Sequence, residues 1–351
     1  MKINNGIEFH SLRLKLNTLP TMSFAKSLSP LTLIILFVIC GCKQSAEHNH
    51  GGAISETSDS LSLKSQDSIS SFAVYASTDF GKSWEPMSIG LPANLKVIDI
   101  EKVGHELVLA SENAGLFMTF NNKSSWKDIS TGLATKIINT LYVKGDEIYI
   151  GLSHEGVTMW KLNSSYWNSY NSNMPNRNVR AIIKVGDELV IGTDMGIFKS
   201  NDHIQSWTGK FVGEPAVSLV MTGDTLYAGT AKGVLISLDG GEHWKYVHKG
   251  GSIHSLTLQG NNLYALYSSG DVFMGSNQGR TWKEIEYSPR DQSYIHSLVK
   301  AGDHFLMSNN HGVFQSANGK KDWQLVFTTE KYWFVDMVAD DQVVYGAAQM
   351  K

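Results

Sequence analysis

Seven tryptophans, Trp84, Trp126, Trp167, Trp207, Trp244, Trp282 and Trp323, recur at spacings of 42, 41, 40, 37, 38 and 41 residues. A period near forty held over that length marks an array of supersecondary units, each too small to bury a core alone. Segment 178–207, NVRAIIKVGDELVIGTDMGIFKSNDHIQSW, shows the unit most clearly. A short apolar run meets a Gly-Asp turn, a second meets a Gly-containing turn, and a third leads into a turn that ends in Trp. The first turn returns as Gly145-Asp146, Gly186-Asp187, Gly223-Asp224 and Gly302-Asp303, with Gly104-His105 and Gly260-Asn261 as variants. These are tight hairpin signals, because Gly and Asn accept a positive φ at little cost. Four antiparallel strands, A to D, in each forty-residue unit predict a β-propeller blade.

The two ends of the repeat region complement each other. After Trp323 come WFVDMVAD and QVVYGAAQ, which read as strands A and B, and then Lys351. FAVYASTDFGKSW and WEPMS, near residue 72, read as strands C and D with no A or B before them. The expectation is an all-β, seven-bladed propeller of four-stranded antiparallel blades over residues 72–351, its last blade closed by strands from both termini. Such closure leaves no open sheet edge in the ring.

The third turn has its own chemistry. Ser77-Thr78-Asp79-Phe80-Gly81-Lys82-Ser83-Trp84 and Ser237-Leu238-Asp239-Gly240-Gly241-Glu242-His243-Trp244 both read S-x-D-x-G-x-x-W. Ser200-Asp202-Trp207, Asn277-Gly279-Trp282 and Ser316-Asn318-Trp323 are weaker copies; Asn121-Trp126 is fainter still, and the pattern is lost near Trp167. This pattern resembles the Asp-box, or BNR, repeat of sialidases, sortilin-type receptors and photosystem II assembly factor-like propellers; the Gly-His and Trp-Asp marks of WD40 repeats do not recur from unit to unit. The physics of the box is structural. Asp caps backbone N–H groups of the turn, Gly takes a conformation closed to other residues, and Trp covers the hairpin base, burying about 200 Å².

The N-terminal segment reads as an address. LTLIILFVICGC is too short for the roughly 20 residues of a membrane-spanning helix and ends in small residues, as an export signal does. Residues 1–41 are long for such a signal, and Met22 opens a shorter one of ordinary length with a basic start. Ile39-Cys40-Gly41-Cys42 resembles a bacterial lipobox, which implies lipid attachment at Cys42 and a membrane anchor. Lys43 after the cysteine implies the outer membrane, since Asp there is the inner-membrane retention signal in enterobacteria. Residues 42–71 are Ser-rich and nearly free of aromatics, a flexible tether with a coil dimension of about 30 Å. His48 and His50 within it read as solvated side chains.

Charge and cysteine content narrow the chemistry. Removing residues 1–41, with Lys2, Arg13, Lys15, Lys26 and Glu8, shifts the formal charge from -3 to -6 and leaves Arg177, Arg180, Arg280 and Arg290 as the arginines. A net acidic chain argues against nucleic acid as a partner. Both cysteines, Cys40 and Cys42, precede the ring, so the ring has neither disulfide nor thiolate chemistry.

Strand order places the A–B and C–D turns on one side of the ring and the B–C turns and D–A loops on the other. In Asp-box families the functional residues lie opposite the boxes, which implies the second side here. It carries the B–C turns with His154, Glu155, Asp194, Lys232 and His311, and the D–A loops with Pro92, Arg177, Pro215 and Arg290. Aligning the blades puts Asn139, Arg180, Val217, His254 and His296 at one position near the start of strand A, at the channel mouth. A ring with Arg180, His254 and His296 suits an anion better than a metal; the repeated IHSL also fits two histidines packed between blades. The candidate ligand-binding residues are Asn139, Arg180, His254, His296, His154 and His311, with no cofactor, metal or catalytic residue assigned. The Arg-containing motif of sialidases is missing, as are a P-loop, a nucleophile elbow and H-E-x-x-H. The expectation is an envelope-anchored, non-catalytic propeller that recognises a protein or a glycan. The alternative is a polysaccharide-active enzyme, a glycoside hydrolase or lyase, using carboxylates such as Glu112, Glu155, Asp194 or Asp291 at the mouth.

Overall fold

The computed structural model describes residues 73–120, 125–201, 203–288, 294–328 and 330–350. The expected signal, Cys42, the tether, Asp202, Arg290 and Asp291 lie outside them. The described residues form seven four-stranded antiparallel sheets. Their inner strands, strand A of blades 1 to 7, are Val97–Val103, Ile138–Lys144, Val179–Val185, Ala216–Thr222, Ile253–Gln259, Ile295–Ala301 and Tyr332–Ala339. Each lies beside the next, and Tyr332–Ala339 lies beside Val97–Val103, so the ring is closed.

Closure is made as the chain ends predict. Blade 7 runs Glu85–Pro86, Val74–Ser77, Val344–Met350, Tyr332–Ala339. Val74 stands opposite Ala347 and Ser77 opposite Val344. On one side, Ala73, Val74, Tyr345 and Ala347 pack with Val97, Ile100, Leu107 and Leu109 of blade 1. On the other, Tyr75, Trp84 and Phe334 pack with Leu306 and Val313 of blade 6. The core is thus a set of layers between blades. Strand B has a blade face on each side, which is why Glu188–Thr193 is buried after its first residue and reads as a continuous apolar run. Full burial of one Leu or Val there contributes about 1.5–3 kcal/mol.

The two strongest Trp-ended turns form the same hydrogen-bonded unit. Ser77 Oγ donates to Asp79 Oδ1 at 2.9 Å and accepts the Gly81 N–H at 2.8 Å. Trp84 Nε1 donates to the Gly81 carbonyl at 3.0 Å. In the second copy Gly241 N donates to Ser237 Oγ at 2.9 Å, and Trp244 Nε1 donates to the Gly241 carbonyl at 3.0 Å. The His243 backbone N–H and then its side chain bond to Asp239, which holds that carboxyl below its ordinary range. Gly81 has φ 86, and a Cβ on it would meet Leu306 of the preceding blade at 3.0 Å.

The weaker copies diverge in instructive ways. Trp282 keeps the bond to its own turn, at 2.7 Å from the Gly279 carbonyl. Trp126 and Trp207 turn instead to the preceding blade, donating to Met87 O at 2.7 Å and Tyr170 O at 3.0 Å. In the turn without the glycine, Asn201 Oδ1 takes over the capping, accepting the Gln205 N–H at 2.7 Å. Trp323 is buried, and its Nε1 finds no partner among the described residues.

Candidate functional site

In each blade the pairing of strands A and B slips once, near the start of strand A. The slips fall between Val97 and Asp99, Ile138 and Thr140, Val179 and Ala181, Ala216 and Ser218, Ile253 and Ser255, Ile295 and Ser297, and Phe334 and Asp336. The skipped residues are Ile98, Asn139, Arg180, Val217, His254, His296 and Val335. A bulge leaves one residue without a ladder partner and re-aims its side chain. All seven line one axial cavity of about 750 Å³. Five of them are those the blade alignment places at a common position; Ile98 and Val335 complete the ring.

The mouth has an aromatic half and a polar half. On the aromatic half, Tyr294 lies 5.8 Å from His254, His254 lies 6.4 Å from His296, and His296 stacks on Trp333 at 5.9 Å and 12°. His296 Nε2 and Asn310 Oδ1 are 2.8 Å apart. On the polar half, Asn139 Nδ2 donates to Asn178 Oδ1 at 2.9 Å, Asn178 Nδ2 donates to Asp194, and Arg180 Nε donates to Asp194 Oδ1 at 2.9 Å. Asn178, Tyr294 and Trp333 share one column, each two residues before a bulge residue, and Asn310 and Asp194 hold equivalent B–C turn positions; that register was present in the sequence, but which of these side chains meet was not.

Electrostatics separate this mouth from a cationic ring. Desolvation in the channel lowers the His254 imidazole below its ordinary pKa, and it does the same to His296 against the bond that His296 donates to Asn310 Oδ1. Both rings are therefore neutral near pH 7. Desolvation works to raise Asp194, but the bonds from Arg180 and Asn178 prevail and hold it low. Arg180 thus has its counter-charge already, and the anion expectation gains nothing from this arrangement. Among the described residues no group of three or more His, Cys, Asp or Glu is disposed to hold a metal. His154 sits on an exposed B–C turn with Ser153 Oγ 2.9 Å from its Nδ1, and in the B–C turn of blade 6 the His311 backbone N–H donates to Asn309 Oδ1 at 2.8 Å; neither histidine lines the channel. Of the carboxylates in the enzyme alternative, Glu112 and Glu155 stand on B–C turns outside the channel, and Asp194 is engaged as described.

Below the mouth the channel holds three carboxylates that the sequence reading missed: Asp99, Glu101 and Asp336. Asp99 and Asp336 immediately follow bulge residues. Asp336 Oδ2 accepts the Ile100 N–H at 3.1 Å and Oδ1 accepts Ser297 Oγ at 3.0 Å, while Asp99 Oδ2 accepts the Leu141 N–H at 3.3 Å. Ser218 and Ser297 do the same one blade on, accepting Leu256 N at 3.0 Å and Met337 N at 3.1 Å. A side chain just after the bulge of one blade thus meets the N–H two residues after the bulge of the next. The signal was available as a column, Asp99, Thr140, Ala181, Ser218, Ser255, Ser297 and Asp336, of short and mostly polar side chains. Desolvation, then the charges of Asp336 and Glu101, push Asp99 well above the usual carboxylate range. Desolvation and the charge of Asp336 push Glu101 up to about 7, and desolvation raises Asp336 against its N–H and hydroxyl donors.

A closed ring of seven four-stranded antiparallel blades around an axial channel defines a seven-bladed β-propeller. No family model matches the chain, and no curated protein does. Among solved structures it is similar to the extracellular domain of BT4673, a one-component system of B. thetaiotaomicron, with a TM-score of 0.62 and 16% identity over 75% of this chain. The chain spans 38% of that neighbour's length. It is also similar to YCF48 from Cyanidioschyzon merolae, with a TM-score of 0.61 and 12% identity over 75% of this chain and 95% of that one. A second structure, YCF48 bound to D1 peptide, gives a TM-score of 0.58 and 14% identity over 74% of this chain and 94% of that one. At these identities the likeness is one of fold.

Proposed function

We propose that this chain is an envelope-anchored, non-catalytic Asp-box propeller that binds a protein or glycan partner at the channel mouth. The observation that carries the reading is the bulge ring with its split lining. One half offers aromatic faces, the other a hydrogen-bonded Asn139, Asn178, Asp194 and Arg180 array, and Val217 and Val335 are among the residues between them. Ile137, Met195, Val212, Tyr294 and Met350, all exposed, stand at strand ends or turns on that same side. Exposed large apolar side chains sharing one face with a concave polar site are characteristic of recognition surfaces. A peptide partner has a precedent in the fold, in the YCF48 structure with D1 peptide. An envelope location has one in the extracellular domain of BT4673. In this reading residues 1–41 are the signal, Cys42 carries the lipid, 42–71 form the tether, and the outer membrane is the address.

Titrating the protein against peptide and glycan panels tests the site. Binding that is lost in the Arg180→Ala, His254→Ala, His296→Ala triple variant, with no product released, supports it. Glycan product release abolished by the same changes overturns it in favour of the polysaccharide-active alternative. One observation favours that second reading: Glu101, at about 7, lies in the range of a general acid. Acyl-label incorporation by wild type and not by Cys42→Ala tests the anchor.

A further inference from the structure

We propose that Asp99 and Asp336 form a proton-holding latch on the closure seam of the ring, which keeps blades 7 and 1 together while the pair shares a proton and loosens them when it is released. The inference concerns the scaffold and stands whether or not the mouth binds a partner.

The geometry begins with position. Blade 7 is the one blade built from both ends of the chain, so the ring can open without disturbing the other blades where Val74–Ser77 leaves Val344–Met350, and opening there also parts strand A of blade 7 from strand A of blade 1. Asp336 crosses the seam between blades 7 and 1 through the Ile100 N–H, and Ser297 crosses the one between blades 6 and 7 through the Met337 N–H. Asp99 makes the next crossing, to the Leu141 N–H. Ile100 directly follows Asp99, so the bond that closes the seam brings the two carboxyl groups within hydrogen-bonding reach of each other. Two carboxylates at that distance cannot both ionise without strong repulsion, and a proton between them turns the repulsion into a bond.

The neighbours do not relieve the charge. Besides the pair, the charged and titratable groups on the inner strands of blades 6, 7, 1 and 2 are His296, Lys300, Tyr332, Glu101, Lys102, Tyr142 and Lys144, with Asp340 directly after the inner strand of blade 7. Lys102 is taken by Asp340 at 3.0 Å. His296 is held neutral by desolvation. Glu101 carries the same sign as the pair and reinforces proton retention on Asp99. Lys300 presents an exposed side chain whose Nζ lies over the Phe305 ring at 5.9 Å. The equivalent position between blades 3 and 4 is Ala181, which has no side chain to titrate and provides an internal control.

Amide hydrogen exchange of the full chain at pH 5.5 and pH 8.5, corrected for the intrinsic rate, tests the latch. The expected result is a loss of protection of about tenfold or more at pH 8.5 in Tyr332–Ala339, Val344–Met350 and Val74–Ser77, tenfold being the effect of about 1.4 kcal/mol. Val179–Val185 and Ala216–Thr222 should show no such change. In a Glu101→Gln background, which takes that carboxyl's own titration out of the comparison, Asp99→Asn should remove the pH dependence at the seam. Asp99→Ser, which copies the chemistry of Ser218 and Ser297, should do likewise and serves if the Asn variant does not fold. A seam with no pH dependence in wild type, an equal response in every blade, or a response that survives both substitutions overturns the proposal.

Discussion

Asp336 Oδ2 accepts the backbone N–H of Ile100 at 3.1 Å, joining residues 236 positions apart. Asp336→Ala should therefore be costly at pH 5.5. It leaves the Ile100 N–H and the Ser297 hydroxyl without their acceptor, at about 1–3 kcal/mol for a buried group so orphaned. Asp336→Ser should recover part of the loss, since Ser297 makes the same crossing one blade earlier at 3.1 Å. Urea unfolding at pH 5.5 checks the order wild type, Ser, Ala.

Glu101 sets a pH dependence with a definite sign. Its folded pKa is raised from 4.5 to about 7, so the native state holds a proton the unfolded chain has lost. Stability from this group is therefore full below about pH 4.5 and falls as pH rises to 7. Glu101→Gln should gain stability relative to wild type across that window and then level off. A difference that is flat in urea midpoints from pH 4.5 to 8 contradicts the assignment.

Two glycines of blade 3 should respond unequally to alanine. Gly186 has φ 61 and open space where a Cβ would stand, so Gly186→Ala carries the left-handed strain alone, about 1–2 kcal/mol. Gly196 has φ 133, and a Cβ there would collide with the Phe211 carbonyl oxygen. Gly196→Ala should cost at least about 3 kcal/mol, or prevent blade 3 from closing. Thermal and urea unfolding of the two variants measure the gap.

Trp244 and Trp323 occupy equivalent turns and should differ on replacement by Phe. Trp244→Phe removes a bond to the Gly241 carbonyl at 3.0 Å and should cost about 1 kcal/mol beyond the packing change. Trp323 buries an Nε1 that has no partner among the described residues, so Trp323→Phe should be near neutral or stabilising. Equal losses in the two variants would show that ring packing outweighs the N–H.

The division between local and long-range information is visible in particular residues. The Trp spacing, the Gly-Asp turns and the Ser77-to-Trp84 chemistry are local, because hairpin and turn geometry is set by a few adjacent φ angles and short side chains. Even the pairing of Val74–Ser77 with Val344–Met350 was legible, since each end of the repeat lacks what the other has. The blade alignment also found the bulge position, because insertion of one residue per blade occurs at a constant distance from the A–B turn. Which neighbours those residues meet was not legible. His296 stacks on Trp333, Trp207 reaches Tyr170, and Asp99 meets Asp336 only because the ring sets each inner strand beside the next at a fixed stagger. The sequence by itself determined the number of blades, their turns and their closure, all matters of period and local conformation. The tertiary structure alone decided that three acidic side chains, scattered over more than 200 residues, share one low-dielectric channel. Burial and mutual repulsion act only at short range through space, and closing the ring is what creates that proximity.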